Sequence, residues 1–145
     1  MPVFVRGRAA WAEGVGEQLT SIDLPENWYL VLHPNVHVST AKIFVNEGLT
    51  RHCQPLRIAT SFSSQTRNVF EPVVRKMFPE VNNAYHWLSG HAVTKMTGSG
   101  ACLFAEFESE EQAKQVLMIL PKQWSGFVAR SVSTSPLHKK LKIEV

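Results

Sequence analysis

Met96-Thr97-Gly98-Ser99-Gly100-Ala101-Cys102-Leu103-Phe104-Ala105-Glu106-Phe107 sets a loop of small residues directly ahead of an apolar strand. Gly98 and Gly100 allow positive φ and close approach of the backbone to a ligand. Two readings stand side by side. Consecutive N–H groups in such a loop form an anion-binding concavity. The same Gly-x-Gly also serves as a tight turn between two strands, and its spacing alone is weak evidence for a site.

Downstream of this stretch, Ser109-Glu110-Glu111-Gln112 is a capping box. Behind it Ala113, Val116, Leu117 and Leu120 recur at i, i+3, i+4 and i+7, which predicts an amphipathic helix ended by Pro121. Gly126 to Val132 reads as a last strand, and the tail after Ser135 as loosely held. Upstream, Ala92 to Met96 reads as a short strand. Before it, Val69, Phe70, Val73, Val74, Met77 and Phe78 fall at helical spacing and predict a helix over 65–78. A second helix opens at Pro79 and ends at Gly90, with Val81, Ala84, Tyr85 and Leu88 on one face.

Residues 46–64 are polar and irregular, with Leu56-Arg57-Ile58 extended. Ser39 is a candidate N-cap for a short helix over Thr40-Ala41-Lys42-Ile43-Phe44. Trp28-Tyr29-Leu30-Val31-Leu32, stopped by Pro34, reads as a buried strand. From Trp28 onward the order is strand, helices, strand, strand, helix, strand. That is an α+β, ferredoxin-like split β-α-β sandwich, an antiparallel sheet with helices on one face. The first residues read differently. Pro2 to Ala10 predicts a short strand broken at Gly7. Gly14 and Gly16 mark a turn before a second strand, and Ser21 to Asn27 reads as a linker.

The chain's 145 residues suffice for one domain with a proper core, at 44% hydrophobic and 19% charged. The net charge of +3 is not gathered into a run except at Lys139, Lys140 and Lys142, which is thinner than a nucleic-acid footprint. Cys53 and Cys102 are far apart without metal spacing, so a reducing, cytoplasmic setting is the simplest reading. No apolar run approaches a membrane span, and the first residues lack a signal-peptide pattern. His33 and His37 stand at i, i+4, but Pro34 breaks the helix that zinc ligation would need. His86 and His91 fall near a helix end, where surface or capping roles come first. No serine, histidine and aspartate group forms a triad. Phe44 is either a core aromatic or one that stacks on a base or ring.

An RNA-recognition domain shares this element order. Its third strand needs a basic residue, glycine, then stacking aromatics. Registered on Phe107, the basic position is Gly100 and the first aromatic position Cys102, so only Phe104 remains to stack.

Several stretches together carry a more specific signal. They are Pro2-Val3-Phe4 with Gly7, Glu13-Gly14-Val15-Gly16-Glu17, and Trp28-Tyr29-Leu30-Val31. Three more are Val38-Ser39-Thr40-Ala41-Lys42-Ile43-Phe44, Met96 to Cys102, and Ser135-Pro136-Leu137. From Pro2 to about His138 the chain resembles the C-terminal half of the 4-diphosphocytidyl-2-C-methyl-D-erythritol kinases, a GHMP kinase family of isoprenoid precursor synthesis. The resemblance implies a transferase that moves the ATP γ-phosphate, with Mg, onto a hydroxyl of a cytidine-diphosphate-linked methylerythritol. It implies that Thr40 and Phe44 line the substrate site, Phe44 stacking the cytosine. It also implies that Gly98, Ser99, Gly100 and Ala101 shape the phosphate and substrate loop, backbone donors there suiting phosphoryl transfer.

The departures set further expectations. The family's catalytic aspartate would lie upstream of Met1, as would its lysine and its ATP-binding Gly-rich loop. The chain alone is therefore expected to be a truncated, non-catalytic part that binds no ATP. Residues 1–22 are expected to be a remnant of the N-terminal kinase domain, 23–27 a linker, 28–138 the C-terminal domain and 139–145 a tail. Strands within 1–22 are expected to lack their usual partners, leaving a hairpin folded back on its own domain, strand exchange with a second copy or disorder; pairing of two copies into a homodimer is the favoured outcome. Ser21 replaces the family's usual proline. Val69 replaces a common acidic residue, in a helix and away from the chemistry. The other class left open is a stand-alone ferredoxin-like module binding RNA or a protein.

Overall fold

A computed structural model describes residues 2–51 and 67–141. The extended reading of Leu56-Arg57-Ile58 and the environment of Cys53 lie outside these residues. The elements run α1 (Pro2–Arg6), β1 (Ala10–Glu13), β2 (Gln18–Ser21), β3 (Trp28–His33), α2 (Thr40–Phe44), α3 (Glu71–Met77), α4 (Pro79–Ser89), β4 (Thr94–Met96), β5 (Leu103–Phe107), α5 (Glu110–Met118), β6 (Ser125–Arg130) and α6 (Pro136–Leu141). The chain divides into two compact units, one of residues 28–129 and one of 1–27 with 130–145.

In the unit of residues 28–129, four strands form a sheet in the order β4-β5-β3-β6. β3 and β5 pair antiparallel from Trp28↔Phe107 to Leu32↔Leu103, and β4 pairs antiparallel with β5 from Thr94↔Ala105 to Met96↔Leu103. This is the expected ferredoxin-like arrangement: β3 enters between the strands of the second half. Period two decides which side is dry. Leu30 and Leu32 of β3 and Leu103 and Ala105 of β5 are fully buried. Helix α5 packs on β3 and β5, and α4 on β4 and β5. Val81, Ala84 and Leu88 of α4 and Ala113 of α5 are also fully buried. Each such leucine or valine contributes about 1.5–3 kcal/mol relative to exposure. The capping box holds at α5, where Ser109 Oγ accepts from the Gln112 N–H at 3.2 Å.

Three local expectations are corrected in this unit. The helix predicted over 65–78 begins at Glu71, because Asn68 Oδ1 accepts the Phe70 N–H at 3.0 Å and turns the chain first. Val69 therefore lies in that turn and not in a helix. Ser39 has the extended backbone of an N-cap (φ −73°, ψ 110°), yet its hydroxyl makes no cap hydrogen bond.

In the other unit, β1 and β2 form a two-stranded hairpin from Ala10↔Ser21 to Glu13↔Gln18. Gly14 (φ +68°) and Gly16 (φ +95°) turn it, and Glu17 Oε2 accepts the Val15 N–H at 2.7 Å. Hydrogen bonds from the backbone N–H groups of Glu17 and Val15 hold the Glu17 carboxyl below the usual glutamate value.

The strand predicted from Pro2 is instead the helix α1. Val3, Phe4 and Val5 suggested a strand, but proline at the first turn suits a helix start. Gly7 at φ +72° ends the helix, its N–H donating to the Val3 carbonyl at 2.9 Å. The chain after β6 is also tied down as far as His138. The N–H groups of Ala9 and Ser135 donate to the carbonyls of Ser133 and Gly7 at 2.9 and 2.8 Å, and His138 on α6 is buried. The linker residues run beside this return segment. Asn27 N–H donates to Ser131 Oγ at 2.9 Å, and Glu26 pairs with Arg130 at 3.3 Å.

Candidate functional site: the loop between β4 and β5

The loop joins two antiparallel strands, so it is a turn as well as a candidate site. The Thr97 N–H donates to the Cys102 carbonyl at 3.0 Å, and the Gly100 N–H to the Thr97 carbonyl at 3.1 Å. The Gly100 N–H is thus spent inside the turn and is not one of the donors that an anion could use. Gly98 and Gly100 take φ +55° and +90°. A Cβ on Gly100 would lie 3.2 Å from both Met96 Sδ and Val74 Cγ1, so the loop is seated on the core there. Ala101 is buried beside it.

Residues distant in sequence fasten the loop. Thr40, the first residue of α2, places Oγ1 2.8 Å from Ser99 Oγ, and either hydroxyl can donate. Asn68 Nδ2 donates to the carbonyls of Met96 and Gly98 at 2.8 and 2.7 Å. Glu71 Oε2 accepts the Met96 N–H at 3.2 Å, while Glu71 Oε1 meets Arg75 at 3.3 Å. Arg75 lies over the Tyr85 ring, 3.6 Å from its centroid, and donates Nε to Asn82 at 3.1 Å. Among the described residues, β4 is at the end of its sheet. Asn68 and Glu71 therefore give Met96 the backbone partners that a neighbouring strand would supply.

Phe44 is 52% exposed, which removes the reading of it as a core aromatic. Its ring meets Phe70 edge-on at 5.0 Å, and its carbonyl accepts from Arg51 at 3.1 Å. One turn of α2 separates it from Thr40, so both share a face of that helix. The structure thus brings Thr40 to Ser99 directly and leaves a half-exposed aromatic ring four residues on. Sequence reasoning missed Asn68, Phe70 and Glu71. The available signal was an asparagine just ahead of a proline-containing helix start, where its side chain bonds nearby backbone.

Three of the histidines have other partners. His33 Nδ1 lies 3.0 Å from Asn35 Oδ1, and the rings of Trp87 and His91 are 4.8 Å apart. His86 Nε2 is 3.5 Å from Arg75. Phe104, the aromatic left by the RNA-recognition register, meets Tyr29 edge-on at 6.0 Å.

Among the described residues, no group of three or more His, Cys, Asp or Glu could hold a metal ion. Glu71, the acid bonded beside the loop, is committed to Met96 and Arg75. What the described residues offer at the loop is a pair of hydroxyls, on Thr40 and Ser99, and a half-exposed ring on Phe44. No helix among the described residues is long and apolar enough to cross a membrane.

Comparison with known proteins narrows the reading. The chain is 51% identical over 144 residues to a protein of Alkalilimnicola ehrlichii named 4-diphosphocytidyl-2-C-methyl-D-erythritol kinase, matching 99% of this chain and 50% of that protein. A protein of the same name from Mannheimia succiniciproducens is 48% identical over 141 residues, 97% of this chain and 47% of its own length. The chain thus spans about half the length of the curated relatives it matches. A crystal structure of 4-(cytidine 5'-diphospho)-2C-methyl-D-erythritol kinase shares the fold. It superposes with a TM-score of 0.69 at 23% identity, over 89% of this chain and 52% of that one. Residues 49–126 match the family described as GHMP kinases C terminal, and with that match over more than half its length the chain belongs to the GHMP kinases.

Proposed function

We propose that this chain supplies the substrate-binding half of a 4-diphosphocytidyl-2-C-methyl-D-erythritol kinase, acting in the cytoplasm on the non-mevalonate route to isoprenoid precursors. Residues 28–129, the unit of the four-stranded sheet, form the body of its C-terminal domain, and 1–22 belong with its N-terminal domain. Phe44 stacks the cytosine of the cytidine-diphosphate-linked methylerythritol. The hydroxyls of Thr40 and Ser99 orient the ligand, and Gly98 to Ala101 form the wall of the cleft beside its phosphates. Phosphoryl transfer depends on positioning and charge stabilisation, so orienting the acceptor hydroxyl is itself a large part of the task. ATP, its Mg and the catalytic carboxylate are held by residues of the whole enzyme outside these 145.

One observation carries the reading: Thr40 Oγ1 lies 2.8 Å from Ser99 Oγ. It joins the two stretches that the resemblance assigns to one cleft. Relatives about half identical along the chain bear the kinase name, which supports the same assignment.

Calorimetric and NMR titration of the chain with the cytidine-diphosphate-linked methylerythritol tests it. Saturable binding is expected, with shifts at Thr40, Phe44 and Gly98 to Ala101. Phe44→Ala is expected to weaken it about tenfold, the usual worth of one stacked base. Binding that is absent, or indifferent to Phe44→Ala, overturns the reading. ATP-dependent phosphorylation by the 145 residues alone is expected to stay at the no-protein level. Turnover above that level would place the ATP site within this chain.

A further inference from the structure

We propose that Asn68 is a positioning residue for the glycine loop, fixing the peptide unit that presents Ser99 to Thr40 and to an oxygen-rich ligand. The proposal deepens the reading of Thr40 and Ser99 as substrate contacts and rests on it for its consequence in binding.

A carboxamide carries two N–H donors on nitrogen and acceptor lone pairs on oxygen. Asn68 uses both sides. Nδ2 donates to Met96 and Gly98, and Oδ1 accepts from Phe70. Rotating the amide by half a turn would set its oxygen against two carbonyl oxygens, so the network admits one orientation.

The two carbonyls belong to two peptide units of the loop. In a trans peptide the C=O and N–H point in opposite directions. The first unit behaves so: Met96 C=O turns to Asn68, and the Thr97 N–H turns to Cys102 at 3.0 Å. The second has Gly98 C=O on Asn68 at 2.7 Å, which directs the Ser99 N–H away from Asn68. Ser99 then offers its N–H and its hydroxyl from a restrained backbone, and the hydroxyl reaches Thr40.

Packing does not do this work at Gly98. Among the described residues no heavy atom lies within 4 Å of the position its Cβ would take, whereas a Cβ on Gly100 would lie 3.2 Å from Met96 and Val74 and 3.7 Å from Val38. Gly100 is therefore seated by the core, and Gly98 is tethered by the Asn68 bond to its carbonyl.

The competing account is that Asn68 merely turns the chain into α3. Asn68→Asp separates the two. An aspartate keeps the acceptor for the Phe70 N–H and suits a helix start. It has no N–H to give and faces two carbonyls with a charge. Asn68→Ser, the second variant, keeps an acceptor and can donate to one carbonyl only.

The test is amide hydrogen exchange by NMR on the whole 145-residue chain, with a melting curve and the ligand titration on each variant. In Asn68→Asp the Phe70 amide is expected to stay protected while Thr97 and Gly100 exchange about tenfold faster, the worth of one or two hydrogen bonds. The amides of β3 and β5 should be unchanged. Affinity for the cytidine-diphosphate-linked methylerythritol is expected to fall about tenfold in Asn68→Asp and less in Asn68→Ser.

Unchanged loop exchange in both variants overturns the proposal and leaves Asn68 a helix-start residue. Faster exchange spread over β3 and β5 also overturns it, because the role would then be general stability. Faster loop exchange with unaltered affinity overturns the link to the ligand. A wild-type chain that binds no ligand would sink the substrate reading, while the exchange data still decide whether Asn68 holds the loop.

Discussion

Gly14-Val15-Gly16 and Gly98-Ser99-Gly100 are the same three-residue pattern, each joining two antiparallel strands. Their environments have little in common. Val15 is 99% exposed, and a Cβ on Gly16 would meet nothing within 4 Å among the described residues. That turn is braced by its own neighbour, Glu17, two residues from Val15. The turn at Gly98 is braced from 28, 30 and 59 residues away, by Asn68 on Met96 and Gly98 and by Thr40 on Ser99. The first is a local solution to reversing a chain. The second is a tertiary construction whose turn geometry is only one of its parts.

The strands leaving the two turns give the strongest contrast. Leu103 is fully buried, and Leu19 only partly. Leu103→Ala is expected to cost about 2–5 kcal/mol by urea unfolding. Leu19→Ala should cost about 1 kcal/mol or less. Equal costs would break the distinction between the two settings.

The glycines themselves sharpen it. Gly16 and Gly100 have nearly the same φ, +95° and +90°. An alanine at either position pays the same backbone strain, about 1–2 kcal/mol. Gly100→Ala adds contact with Met96 and Val74 and is expected to reach about 3 kcal/mol. The difference between these two unfolding measurements isolates packing from conformation.

The smallest effect belongs to pH. The folded Glu17 carboxyl titrates below the usual glutamate value, through hydrogen bonds from its own N–H and that of Val15. Its contribution to the turn is therefore present above the usual value and is lost as pH falls through the lowered one. Acid titration followed by NMR should show the Glu17 carboxyl carbon moving late and the Val15 amide losing protection with it. An ordinary midpoint for Glu17 would remove this brace. At the other turn the corresponding brace is the Asn68 amide, which has no proton to gain in that window.

The same contrast explains what was legible in the sequence. The apolar runs that become β3 and β5 and the Ser109 box before α5 are local signals, and the structure follows them. The α1 segment misled because three strand-favouring side chains outweighed the flanking Pro2 and Gly7, which mark the start and stop of a short helix. Thr40 and Ser99 were reached through resemblance to a family, since no spacing rule links residues so far apart. Asn68 escaped notice because its role depends on which backbone groups the fold brings to its amide. Phe44 could be read either way until its exposure was known.

The edge of the sheet at β4 carries a further consequence. An open strand edge is a template on which another chain can add, the route by which sheets polymerise. At Met96 that template is blocked by an amide and a carboxylate from the start of α3, not by more protein backbone. Any incoming strand must first displace two side chains that are already bonded. Loosening Asn68 would therefore uncover a self-association site along with the loop, and light scattering of the variants should rise in step with loop exchange.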